Sequence, residues 1–178
     1  AQWTPNSEIN TLVTSSEGGD MKALGTSSGK TYVVYWKAVS APTNYELRLQ
    51  ILDVEGFQLL GEEGMLVSDE IPMSTFTVIW NITTDEEDNL YIGLTGTGGG
   101  EPAYVFKLDD EGNNLWGSGG VQVGAGYSVT ILPLSNGEVI VSWFPGGEGG
   151  LQKYDSTGVA QWDATATISE DGNDTVPA

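Results

Sequence analysis

Short apolar runs alternate with polar clusters along the whole chain, and none sustains the 3.6-residue period of a surface helix. Thr31 to Trp36, Asn89 to Leu94 and Glu138 to Phe144 are rich in Val, Ile, Tyr and Trp and read as mostly buried strands. A tight-turn signal precedes each of them: Ser27-Ser28-Gly29-Lys30, Glu86-Glu87-Asp88-Asn89 and Ser135-Asn136-Gly137-Glu138. Gly and Asn supply the positive φ that short hairpin turns require. Further apolar runs lie upstream, at Met21 to Gly25, Phe76 to Ile82 and Tyr127 to Leu134, and looser connections lie downstream, around Pro42, across Gly96 to Pro102 and across Pro145 to Gly150. Each unit therefore reads as strand, tight turn, strand, loose loop, strand.

The third strand of each unit leads into the clearest repeat. Leu52-Asp53-Val54-Glu55-Gly56, Leu108-Asp109-Asp110-Glu111-Gly112 and Tyr154-Asp155-Ser156-Thr157-Gly158 share the pattern apolar, Asp, two free positions, Gly. Four residues past the glycine stand Leu60, Trp116 and Trp162. Asp53, Asp109 and Asp155 are expected to accept hydrogen bonds from their own turn amides, and Gly56, Gly112 and Gly158 to take the left-handed position. The large residue is expected to anchor a returning fourth strand.

A repeat of roughly 50 residues holding four antiparallel strands is the signature of propeller blades, with a β-sandwich or an irregular β-solenoid as the alternatives. The fold class is thus all-β, with three four-stranded antiparallel blades at residues 20–69, 73–124 and 126–168. Ala1-Gln2-Trp3 repeats Ala160-Gln161-Trp162, which adds an N-terminal strand around residues 3–13 belonging to a closing blade. Three blades fall short of the roughly four to eight that close a ring, so further blades are expected, in cis within a larger propeller or from partner chains.

Composition narrows the chemistry. There is no Cys and no His, which removes disulfides, thiolate zinc sites, Cys-His pairs and Ser-His-Asp triads. Twenty-five Asp plus Glu against 6 Lys plus Arg give a net charge of −19 over 178 residues, which repels phosphate backbones and anionic lipid. Nucleic acid is therefore no expected partner. No apolar run reaches the roughly 20 residues that span a bilayer, so no membrane insertion is expected.

Carboxylates are the plentiful reactive groups, yet they cluster in turns. Asp85-Glu86-Glu87-Asp88 sits at a predicted hairpin tip, where solvation removes the burial that would raise a carboxyl pKa for general acid work. Calcium uses such acidic turns; Asp85, Glu87 and Asp88 are the metal candidates, although no EF-hand spacing is present. No other cofactor is expected. The glycine-rich stretches Gly96 to Gly100 and Gly146 to Gly150 lack a phosphate-loop lysine and read as inter-strand loops. Trp3, Trp116 and Trp162 occupy the repeat position and read as structural, and Trp80 reads as core. Trp36 and Trp143, near strand ends, are the candidate ligand-binding aromatics.

Val105-Phe106-Lys107-Leu108-Asp109-Asp110-Glu111-Gly112-Asn113-Asn114-Leu115-Trp116 resembles the blade repeat of propellers similar to those of pyrroloquinoline-quinone enzymes. Gln2 to Asn10, taken with Leu115 to Val121, is similar to secreted repeat proteins of Bacteroidota. That resemblance implies export through the type IX route, a C-terminal sorting domain elsewhere, and residence outside the cell or on its outer surface. It carries over architecture only: the turn aspartates, turn glycines and docking tryptophans, with no quinone-binding residue. The opening at Ala1 fits a mature end left by signal peptidase. The function expected is a non-catalytic surface scaffold or adhesion module that binds protein or glycan. The alternative is part of a carbohydrate-active or quinone-dependent propeller enzyme.

Overall fold

The computed structural model describes residues 11–15, 17–40, 44–97, 100–144, 149–163 and 165–168. Trp3 and most of the expected N-terminal strand lie outside them. Twelve strands and no helix are present among the described residues. The first four are β1 (Gly18–Gly25), β2 (Thr31–Ser40), β3 (Asn44–Leu52) and β4 (Met65–Ser68). The second four are β5 (Val78–Thr84), β6 (Leu90–Thr95), β7 (Pro102–Leu108) and β8 (Val121–Ala125). The last four are β9 (Tyr127–Pro133), β10 (Val139–Phe144), β11 (Gly149–Tyr154) and β12 (Ala166–Ile168). Each set forms one four-stranded sheet in simple sequential order, with every pair antiparallel. These are propeller-type blades, and the chain is all-β.

The blades stack through two apolar layers. Successive strand residues point to opposite faces, so Tyr32, Val34, Leu47, Leu49 and Ile51 of the first sheet meet Leu90, Ile92, Leu94, Phe106 and Leu108 of the second. The second sheet's other face presents Tyr91, Ala103 and Val105 to Val139, Val141 and Tyr154 of the third. A sheet covered on both sides needs apolar residues on both sides, which is why all six residues of β6 are buried.

The innermost strands β1, β5 and β9 are stitched from side chain to main chain. The Asp20 carboxylate accepts the Ile79 N–H, and Asn81 Oδ1 accepts the Ile131 N–H at 3.2 Å. Register shifts interrupt β5 between Ile79 and Asn81 and β10 between Ser142 and Phe144.

Two sequence expectations change here. Leu60, Trp116 and Trp162 do not lie in the fourth strands, which begin several residues later, at Met65, Val121 and Ala166. They sit in the bend that follows an isolated bridge at Gln58, Asn114 and Ala160. Trp80, at the register shift in β5, is not interior but 36% exposed.

Candidate functional site

Antiparallel order sends all tight turns to one end of the stack and the loose connections to the other, and the two ends use their polar groups differently. At the tight-turn end, Asp53 Oδ1 accepts the N–H groups of Glu55 and Phe57 at 2.9 and 2.8 Å. Asp109 Oδ1 does the same for Glu111 and Asn113, and Asp155 Oδ1 for Thr157 and Val159. Gly56, Gly112 and Gly158 follow at φ 91, 95 and 85°, a conformation that L side chains rarely adopt.

These turns also lock one blade to the next. A methyl on Gly112 would meet Met65, Leu49 and Leu60 of the first unit; one on Gly158 would meet Val121 and Trp116 of the second. Leu60 and Trp116, each four past a turn glycine, thus pack under the turn glycine of the following unit. Trp116, 9% exposed, adds edge contacts to Tyr91 and a tilted contact to Tyr154. Trp162 is half-buried, its main-chain N–H and C=O clipped by the Gln152 side chain at 3.2 and 3.3 Å.

The acidic hairpin tip is solvated only in part: Glu86 and Glu87 are exposed, whereas the Asp85 and Asp88 side chains are buried. Asp88 reaches back to the first unit, its carboxylate accepting Ser27 N–H, Ser27 Oγ–H and Ser28 N–H at 2.9 to 3.1 Å, while Tyr32 donates to the Asp88 carbonyl at 2.8 Å. Burial alone would raise the Asp88 carboxyl, but these donors outweigh it and hold it below the usual range. Asp85 accepts N–H groups of Glu87 and Asn89 and the Tyr91 hydroxyl, with Lys107 Nζ at 4.0 Å. Burial, with the Asp85 charge beside it, drives the Tyr91 phenol well above its ordinary value. Glu87 is exposed. Asp85 and Asp88 accept from separate sets of donors, and no group of three His, Cys, Asp or Glu side chains placed to hold a metal occurs among the described residues.

Of the aromatics singled out as ligand candidates, Trp143 is buried and Trp36 is partly buried against the core. Trp143, 7% exposed, lies between Gly124 and Gly150, where a Cβ on either would come within 2.4 Å of the indole. Trp36 packs edge-on to Tyr45 at 5.5 Å and covers Gly19; its Nε1 is buried without a partner among the described residues.

The loose-loop end is different. Between the first sheet and the segment that follows β4, a cleft of about 490 Å³ is lined by Val39, Tyr45, Glu46, Asp69, Ile71, Pro72 and Met73, but Glu46 is already paired with Arg48 at 2.7 Å. Between the second and third units a cleft of about 300 Å³ is lined by Phe76, Val78, Thr95, Gly96, Thr97, Glu101 and Tyr127. Phe76 is 82% and Tyr127 39% exposed. Trp80 beside it is fixed, its Nε1 donating to Thr95 Oγ at 2.7 Å while Thr95 donates to the Gly126 carbonyl at 2.8 Å. Asp20, Glu101 and Ser128, at φ 46, 50 and 54°, bring three of the strained non-glycine positions to this end. Sequence reading missed this site because its aromatics interrupt strand runs that look like core; the Gly96 to Pro102 loop was the one signal for it.

No family model and no curated relative matches the chain. Among solved structures, an endo-arabinase from Bacteroides thetaiotaomicron aligns with a TM-score of 0.48 and 14% identity over 88% of this chain. The chain spans 64% of the length of that structure.

Proposed function

We propose that this chain is a non-catalytic recognition module, a segment of an exported or surface-displayed propeller protein that binds a glycan or a protein at its loose-loop end. The carrying observation is the division of labour between the two ends. Carboxylates at the tight-turn end serve turns and blade contacts, and although Phe57 is exposed there, the exposed Phe76 and Tyr127 at the other end line a cleft. Asp88, Asp109, Asp155, Glu63 and Glu138 are all held below the usual carboxylate range, the opposite of what a general acid needs. Placement outside the cell, type IX export and completion by further blades rest on the resemblance of the repeat and belong to this proposal.

Incubation with a polysaccharide panel, and with primary alcohols plus pyrroloquinoline quinone, is expected to give no turnover. Turnover abolished by one carboxylate substitution overturns the reading in favour of a propeller enzyme.

A further inference from the structure

The cleft between the second and third units carries more detail than a generic binding face. Its walls are pinned from both neighbouring connections. Thr97 N–H donates to the Pro72 carbonyl at 2.8 Å, Gly96 N–H to Pro102 at 2.9 Å, and Gly126 N–H to Glu101 at 2.9 Å. Glu101 and Ser128 flank the opening with left-handed backbones, a conformation that costs L residues of order 1 to 3 kcal/mol and persists where surrounding structure enforces it, commonly at ligand clamps. Ser128 directly follows Tyr127 and so sets how that ring is presented. The result is an opening whose lining combines two aromatic residues, Phe76 and Tyr127, with the oxygen-bearing Glu101 and Thr97.

We propose that this cleft binds a neutral saccharide. The inference rests on the recognition reading above and names its site and ligand. Sugar rings present an apolar C–H face that covers an aromatic ring, together with a rim of hydroxyl donors for a carboxylate. Phe76 and Tyr127 supply the first partner and Glu101 the second. None of the cleft's lining residues is Lys or Arg, and the chain carries a net charge of −19, so uronates, sulfated glycans and phosphates meet repulsion with no compensating cation. A volume of about 300 Å³ is that of a small-ligand cleft, for which roughly 300 to 1,000 Å³ is usual.

The test is affinity electrophoresis of the whole chain through gels containing starch, xylan, arabinan, mannan or polygalacturonate, with reducing-end release measured on the same samples and an oligolysine titration beside them. At least one neutral polysaccharide is expected to retard the protein. Phe76→Ala and Tyr127→Ala are each expected to weaken that binding about tenfold, and Glu101→Gln to weaken it less. Phe57→Ala, an exposed aromatic at the tight-turn end, is expected to change nothing, and unchanged melting of every variant establishes that the fold is intact. Retardation by polygalacturonate alone, a response to oligolysine alone, no retardation by any neutral polysaccharide, or neutral binding that survives both aromatic substitutions overturns the proposal. Reducing-end release overturns the non-catalytic reading and leaves the site standing, so the two failures are told apart.

Discussion

The indole N–H of Trp116 donates to the main-chain carbonyl of Ser156 at 3.0 Å, tying the second unit's bend to the third unit's turn. With the ring under Gly158, one side chain supplies both an apolar plug and a directional bond across the blade boundary. Trp116→Ala is expected to cost about 3 to 5 kcal/mol in urea unfolding, and Trp116→Phe about 1 kcal/mol or somewhat more for the lost hydrogen bond and indole volume. Half-buried Trp162, which packs under no turn glycine among the described residues, is expected to cost less when replaced by Ala.

Asp88→Ala leaves three donors of Ser27 and Ser28 without their acceptor and is expected to cost about 1 to 3 kcal/mol. The same carboxylate makes stability depend on acid. Its folded pKa is depressed, so the folded state binds this proton less readily than the unfolded chain does. The contribution is complete above the unfolded value of about 3.9 and is lost as pH falls through and below it. Urea midpoints measured from pH 7 down to pH 3 should fall for the parent chain and fall less steeply for Asp88→Ala.

Gly124→Ala places a methyl 2.4 Å from the Trp143 Nε1 position, in an interface whose far side is closed by Gly150. Overpacking of about 1 to 3 kcal/mol is expected, together with a changed tryptophan emission maximum. Gly25→Ala, where a methyl meets nothing within 4 Å, is the control and should leave both readouts in place.

Gln50 is fully buried and makes four hydrogen bonds. Its amide donates to the carbonyls of Val13 and Gly61, and its oxygen accepts Ile51 N–H and Leu60 N–H. Gln50→Ala strands these groups and is expected to cost about 1 to 3 kcal/mol per unsatisfied group that water cannot reach. Amide exchange at Leu60 should accelerate beyond the change in global stability.

The local grammar of this fold was legible in the sequence. Turn aspartates, left-handed glycines and the strand runs follow from interactions within about five residues, and the Asp53, Asp109 and Asp155 turns have the hydrogen bonds their spacing implies. What was hidden depends on partners far along the chain. Asp88 looks like a solvated tip until Ser27, 61 residues away, is brought against it. Trp143 and Trp80 are alike in sequence, both aromatic within apolar runs. Each stands at a register shift, but a pair of glycines admits Trp143 into an interface, while Trp80, its Nε1 donating to Thr95, stays 36% exposed. The loose-loop cleft escaped for the same reason, since Phe76, Glu101 and Tyr127 belong to three separate connections or strand ends.

Packing of each bend under the next unit's turn also gives the stack a direction. The first unit's Leu60 and the second unit's Trp116 are each covered by a successor's glycine, so a unit loses its lid when its successor opens, whereas the successor keeps its own. In a near-one-dimensional array, where stability is a sum of unit and neighbour terms, this asymmetry sets which way opening spreads. Destabilising one unit should therefore raise deuterium uptake in its predecessor more than in its successor.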